Sequence, residues 1–161
     1  MNLPSFGKKK SPLFVSVLIS GKSVACALWE VQEGIPAVRG YSSIVDWNAG
    51  KEETFVQAVD AAIASLGKPA ESAKHILFGF PESWVTGQTI AKEKKHLLKL
   101  VTTKLELESV GFVVVSEAVI ADLKVRQDAH LQGVYVWIEE GNLTLTIVKQ
   151  GTVEDITSVG R

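Results

Sequence analysis

The sequence predicts an α/β fold in which a mixed β-sheet is flanked by helices on both faces. Short runs rich in β-branched residues occur at both ends of the chain, and two internal segments repeat their apolar residues at helical spacing. A third helix is predicted after the capping residue Ser116. The resulting order of elements is βββαβαβαβββ. Strands that alternate with helices favour parallel pairing and a sheet covered by helices, and the opening meander adds antiparallel strands.

The first three strands are predicted from apolar runs separated by turn residues. Residues 14–19 form the first run, and Gly21 and Lys22 supply a turn before the second run at 24–31, so the two predict a tight hairpin. A further turn at 34–36 precedes the third strand at 37–44.

The remaining elements follow from apolar spacing and from residues that end helices. Phe55, Val59 and Ile63 repeat at helical spacing, and Gly67 closes that helix. We expect buried positions at Val17, Ile19, Ile63, Leu77, Leu98, Val114, Val136 and Ile147. The predicted helices are 54–66, 91–107 and 117–126, and the later strands are 76–80, 111–115, 134–138, 143–148 and 153–158.

Composition excludes several classes of partner and cofactor. The 161 residues carry 17 basic and 18 acidic side chains, so no overall field favours nucleic acid or a membrane surface. Cys26 is the single cysteine, which excludes an internal disulfide and fits the cytoplasm. His75, His96 and His130 lie far apart without ligand spacing, so no metal site is predicted.

The N-terminus imitates a signal peptide, because lysines at 8–10 precede an apolar run at 13–19 and a small-residue segment around Cys26. That run is too short to span a bilayer, and Lys22 would place a charge within the apolar segment. We therefore predict no transmembrane segment. Residues 1–12 are expected to be a flexible basic tail, and residues 13–161 a single domain.

Three segments resemble the first lobe of the actin-like ATPase superfamily, a ribonuclease H-like lobe. They are the hairpin around residues 14–21, the strand that ends in Gly79-Phe80-Pro81-Glu82-Ser83, and the segment at 116–121. The superfamily includes actin, sugar kinases, the seventy-kilodalton heat-shock chaperones, and the bacterial proteins FtsA and PilM. The resemblance covers the chain from Leu13 to Gly160 in its pattern of elements.

The resemblance implies two phosphate-binding hairpins whose key residues are replaced here. In the first Asp-x-Gly motif, which places an acid near magnesium, Leu18 replaces the acid and Ser20 the glycine, followed by Gly21. Glu117 is the one catalytic carboxylate that the pattern retains. In the second hairpin the aligned positions are Trp137 for the acid, Glu139 and Glu140 for glycines, and Gly141, which is kept.

These replacements predict that no cofactor binds. Carboxylates at Glu139 and Glu140 would repel a polyphosphate, so we expect no binding of magnesium-ATP at physiological concentrations. Ser20-Gly21-Lys22-Ser23 also looks like the end of a P-loop, but Ser16 stands where its first glycine is needed. A plain hairpin turn is therefore the preferred interpretation.

Two further features concern partners. The lysines within residues 92–104 are typical of a solvated helix face, and no interleaved aromatics suggest nucleic acid. Trp47 and Trp84 lie in predicted loops, where they could form a protein contact or be buried beneath the loop.

The function predicted from these features is a non-catalytic actin-like module for assembly or scaffolding, as the resemblance to FtsA and PilM implies. It would act in the cytoplasm or at the inner membrane through an unidentified protein partner. A homo-oligomer is a further possibility. The alternative is the nucleotide-binding lobe of a longer, active ATPase or kinase, with the closing strands leading into its other half. A third interpretation is a binding domain unrelated to nucleotides, and it would be favoured if the first three strands were not consecutive neighbours in one sheet.

Overall fold

The computed structural model describes residues 11–86, 89–127, 131–139 and 142–160, and it confirms the predicted α/β class. The helices are Glu52–Ser65 (α1), Lys92–Lys104 (α2) and Val115–Gln127 (α3), with short 3₁₀ helices at Lys68–Ser72 and Glu82–Trp84. The strands are Leu13–Ile19 (β1), Ser23–Gln32 (β2), Ile35–Tyr41 (β3), Val45–Asp46 (β4), His75–Phe80 (β5), Val85–Thr86 (β6), Thr89–Ile90 (β7), Glu108–Val114 (β8), Gly133–Glu139 (β9), Asn142–Lys149 (β10) and Thr152–Gly160 (β11).

The first sheet has the strand order β3-β2-β1-β5-β8, and β4 pairs with the end of β2. Strands β1, β2 and β3 form an antiparallel meander, whereas β5 and β8 run parallel to β1. The first three strands are consecutive neighbours in one sheet, so the condition that would favour an unrelated binding domain is not met.

The main core lies between one face of this sheet and the helices α1 and α2. Alternate residues of β1, β2 and β5 point toward these helices, as the period of two in a strand requires. The buried residues of this core include Val15, Val17, Ile19, Val24, Cys26, Leu28, Ile76, Phe78 and Phe80 from strands, and Phe55, Val59, Ala62, Leu97, Leu98 and Val101 from helices. None of the helices within the described ranges is long and apolar enough to cross a membrane.

Helix α3 lies on the opposite face of the first sheet and also contacts a second sheet. The second sheet is an antiparallel meander in the order β11-β10-β9, and Ile120, Leu131 and Val148 form its small core with α3. The single mixed sheet that the sequence predicts does not include the strand at Val134. Strand β9 pairs with β10 instead, so the chain begins a new meander after α3.

Five of the eight predicted core positions are not fully buried. Leu77 is only partly buried because its neighbours Ile76 and Phe78 take the face toward α1 and α2. Val136 and Ile147 are exposed because the face of the second sheet on which they lie carries no covering element in the described residues. The burial predicted for Val17, Ile19 and Leu98 is confirmed, and Ile63 and Val114 are partly buried against the core.

The position of Leu98 gives a test of the core. Replacing buried Leu98 with Ala should lower the free energy of unfolding by about 2 to 5 kcal/mol, because the change leaves a cavity between α2 and the sheet. Urea unfolding measures the change. Leu18→Ala is the matched control at a side chain that is 45% exposed, and it should cost clearly less. Equal losses in the two variants would contradict the assigned helix face.

The burial of Cys26 gives a second test. Burial in the core raises the pKa of the Cys26 thiol to about 12, so the reactive thiolate is scarce at pH 8. We expect a thiol reagent such as dithionitrobenzoate to label Cys26 only after the chain unfolds in denaturant. Fast labelling of the native protein would show that β2 is not held in the core.

Candidate functional site

The candidate site lies at the carboxyl edge of the parallel strands β1, β5 and β8. Ligands of open α/β sheets bind at this edge, because loops and helix N-termini converge there. Three segments meet the description: the turn at residues 20–23 after β1, the 3₁₀ helix Glu82–Trp84 after β5, and the start of α3 after β8.

The turn after β1 is a compact hairpin connection. The backbone N–H of Ser20 donates to the carbonyl oxygen of Ser23 at 2.8 Å, and the two serine hydroxyl oxygens lie 2.8 Å apart. The N–H of Trp47 donates to the carbonyl of Lys22 at 2.7 Å. Because Lys22 lies between two strands and opens no helix, the hairpin interpretation is confirmed and the P-loop interpretation is wrong.

Leu18 occupies the place that the resemblance assigns to the first metal-binding acid. Its side chain lies over Gly79, where an added Cβ would be 3.8 Å from Leu18 Cδ1 and 3.7 Å from Val115 Cγ2. A cavity of about 340 Å³ opens beside it between the sheet and α3, and Asp122 is the one charged residue among its described lining. Asp122 is paired with Arg126 at 2.8 Å. Hydrocarbon therefore surrounds this position.

Trp137 occupies the corresponding place in the second hairpin. Its side chain is 39% exposed, and it lines a cavity of about 160 Å³ with Ser116, Tyr135 and Thr146. Glu140, Gly141 and the side chain of Glu139 lie outside what the structure describes.

The two hairpins repeat each other residue by residue. The two strands of each hairpin pair in the same phase. The pairing of the second strand with the third also shifts in register at the equivalent point, after Leu28 in β2 and after Ile147 in β10. Leu18 and Trp137 are therefore equivalent positions, and both line cavities beside Val119 of α3. The equivalent pairs are Ile19–Val24 and Ile138–Leu143, Val17–Cys26 and Val136–Leu145, and Val15–Leu28 and Val134–Ile147.

Two polar atoms are buried at the candidate site without a hydrogen-bond partner among the described residues. They are Oε1 of Glu82 and Oγ of Ser116, whereas Glu117 is exposed in the first turn of α3. The sequence interpretation singled out Glu117 and missed Glu82. The available signal was an acidic residue directly after Pro81, at the end of a buried strand. Within the described ranges, no group of three His, Cys, Asp or Glu residues could hold a metal ion.

Trp47 and Trp84 do not form an exposed contact surface. Both are buried, and their rings lie against Phe55 and Phe80, with centroids 4.8 Å and 5.6 Å away respectively. Lys94 Nζ lies 5.1 Å from the centroid of the Trp84 ring. Of the two alternatives for these tryptophans, burial beneath loops is the one that the structure supports.

No protein-family model matches the chain, and no curated protein matches its sequence. Solved structures do match. EutJ from Carboxydothermus hydrogenoformans is 18% identical with a TM-score of 0.62, over 96% of this chain and 54% of that one. MreB5 of Spiroplasma citri, bound to ADP, is 14% identical with a TM-score of 0.59, over 94% and 53%. A Ppx/GppA phosphatase of Aquifex aeolicus is 15% identical with a TM-score of 0.54, over 92% and 52%.

The chain therefore has the fold of the actin-like ATPase superfamily, as its resemblance predicts. It spans about half the length of the solved structures that it matches. The expectation that the chain is not an enzyme is contradicted, because its structural neighbours include a phosphatase. The missing residues belong to the two phosphate motifs alone, and the carboxyl edge also carries Glu82, which lies outside both motifs.

The unpaired oxygen of Glu82 can be tested by its cost to stability. Glu82→Gln should raise the free energy of unfolding by about 1 kcal/mol, because a neutral amide loses less hydration on burial than a carboxylate. Glu71→Gln is the control at an exposed acid and should change stability by less than about 0.5 kcal/mol. A loss of stability in Glu82→Gln would mean that the carboxylate has a stabilising partner.

Proposed function

We propose that this chain is the phosphate-binding first lobe of an actin-like ATPase or phosphotransferase, together with the opening strands of its second lobe. The observation that carries the proposal is the repeated hairpin, with α3 between the two copies. A phosphate chain can be held by backbone N–H groups at such a turn, and the turn after β1 lacks the carboxylates that Glu139 and Glu140 place at the second one. The similarity to a phosphatase and to an ADP-bound MreB5 supports the same assignment.

The groups available to a phosphate lie at the carboxyl edge of the first sheet. The turn at residues 20–23 offers backbone N–H groups and the exposed side chain of Lys22, and the N-terminus of α3 favours anions. Glu117 in that first turn is our candidate general base, and Glu82 is a second carboxylate at the same edge.

The replaced acids limit how a cation can contribute. Leu18 and Trp137 offer no oxygen ligands, so magnesium cannot be held at those two positions. We infer that binding by residues 1–161 depends on amides and on Lys22 and is therefore insensitive to magnesium. That magnesium-ATP does not bind at physiological concentrations stays a prediction, and it rests on the replacement of both acids by Leu18 and Trp137.

Assembly through protein contacts is a second candidate function, and it is compatible with phosphate binding. Exposed apolar side chains favour it, including Tyr41 and Ile44 near β3 and Val136 and Ile138 on β9. A protein partner, or self-association, at the cytoplasmic face of a membrane would fit this role.

Phosphate binding is tested by titrating the 161-residue chain with tripolyphosphate, ADP and ATP in a calorimeter, with magnesium or with EDTA. We expect saturable tripolyphosphate binding that is equal in the two buffers and about tenfold weaker in Lys22→Ala, because one charge-assisted contact is worth roughly 1.5 to 3 kcal/mol. Lys104→Ala, at an exposed lysine in the last turn of α2, is the matched control.

A separate assay on the product of the complete gene measures the release of inorganic phosphate from the same ligands. Glu117→Gln should abolish release while leaving affinity unchanged. If neither form binds any of the three ligands, the proposed function is wrong. Binding that requires magnesium and ignores Lys22→Ala would contradict the assignment of the turn.

A further inference from the structure

A cavity of about 330 Å³ lies at the amino edge of the parallel strands, at the opposite end of the first sheet from the candidate phosphate site. Lys74 directly precedes β5 and Leu107 directly precedes β8, and both line this cavity. Helices α1 and α2 end beside it, with Ile63 and Lys104 in its wall. The amino-edge cavity, as it is called here, therefore shares no described lining residue with the candidate phosphate site or with the second sheet.

The charged side chains that line the amino-edge cavity carry both signs. The acids are Asp60, Glu71 and Glu106, and the bases are Lys74 and Lys104. All of them are exposed, and none forms an ion pair or a side-chain hydrogen bond within the described part of the chain. Groups of both signs are therefore free to contact a ligand that itself carries both charges.

The floor between these charges is apolar. Ala70 and Ala73 are buried, and Ile63, Leu105 and Leu107 are partly buried against the main core. Helix C-termini carry a partial negative charge, so the ends of α1 and α2 favour a cation at the rim of the cavity. The ligand that fits has an ammonium group, a carboxylate group and a hydrocarbon side chain.

Glu106 has a backbone conformation that a glutamate rarely adopts. Its φ is 52°, in the left-handed region, at the position after the C-cap of α2 where glycine is the usual residue. The N–H of Leu107 donates to the carbonyl oxygen of Thr102 at 3.0 Å, and this bond does not need a side chain at position 106. A carboxylate is therefore kept at the rim at a cost in backbone strain, which is common at ligand sites.

We propose that the amino-edge cavity binds a free α-amino acid with a branched apolar side chain. The ammonium group lies among Asp60, Glu71 and Glu106, the carboxylate contacts Lys74 and Lys104, and the hydrocarbon side chain packs on the apolar floor. The cavity volume lies at the lower end of the roughly 300 to 1,000 Å³ that small-molecule sites have. This inference does not depend on the proposed phosphate binding.

Binding is measured by nuclear magnetic resonance, with titration of the ¹⁵N-labelled 161-residue chain by L-leucine in a buffer without phosphate. We expect saturable shifts of the amide signals of residues 70–74 and 104–107, because these segments line the cavity. Two matched ligands separate the charges, since 4-methylpentanoate lacks the ammonium group and 3-methylbutylamine lacks the carboxylate. Each should bind at least about tenfold more weakly than L-leucine, because it loses the contacts of one charged group.

Matched variants of the chain locate the site. Lys104→Ala and Glu106→Gln should each weaken L-leucine binding about fivefold, the upper range for one exposed ion pair. Lys68→Ala and Glu53→Gln are the controls, since both side chains are exposed and lie outside the cavity lining. Glu106→Gly should raise the urea midpoint, because glycine adopts a positive φ without strain, and should still weaken binding. Weaker binding by a more stable variant excludes a folding defect as its cause.

Two results would overturn the inference. One is that L-leucine shifts no amide signal of the cavity, or that both matched ligands bind as tightly as L-leucine does. The other is that Lys104→Ala and Glu106→Gly bind L-leucine as the parent chain does. Failure of tripolyphosphate binding would leave these results unaffected, because the titration contains no phosphate ligand and the two sites share no residue.

Discussion

The structure depends on strand β1, because it joins the two modes of pairing in the first sheet. It pairs antiparallel with β2 on one side and parallel with β5 on the other. Its side chains alternate accordingly: Val15 and Val17 enter the core beneath α1 and α2, while Leu18 faces α3. A shift of one residue would exchange these faces and place the core valines against α3. The register of β1 therefore fixes both the core and the position of the candidate site.

The order of the elements could be predicted from the sequence because apolar periodicity reports local geometry. Apolar periodicity does not predict burial where both faces of a strand are apolar. Ile76, Leu77 and Phe78 do not alternate with polar residues, so the sequence does not show which of them faces the helices. Placement in a sheet is a long-range property, so the pattern of β9 could not show that it pairs with β10 alone. The same applies to β4, whose two residues are too few for a period.

The candidate site was predicted in part. Aligning the two hairpins with the superfamily motifs identified Leu18 and Trp137, and the structure places both beside α3. The unpaired oxygen of Glu82 could not be inferred, because it results from burial rather than from residue type. The residues of the two phosphate motifs, taken alone, predicted a protein without catalytic activity. The structure adds Glu82 at the same carboxyl edge, a residue that neither motif includes.

The same apolar pattern contributes differently to stability in the two repeated hairpins. In the first copy, the six apolar residues lie in the large core and their burial is the main stabilising contribution. In the second copy, the equivalent residues face outward, and the sheet is held by its ladders and by the small core around Ile120 and Val148. Few buried contacts imply that the second meander opens more easily than the first.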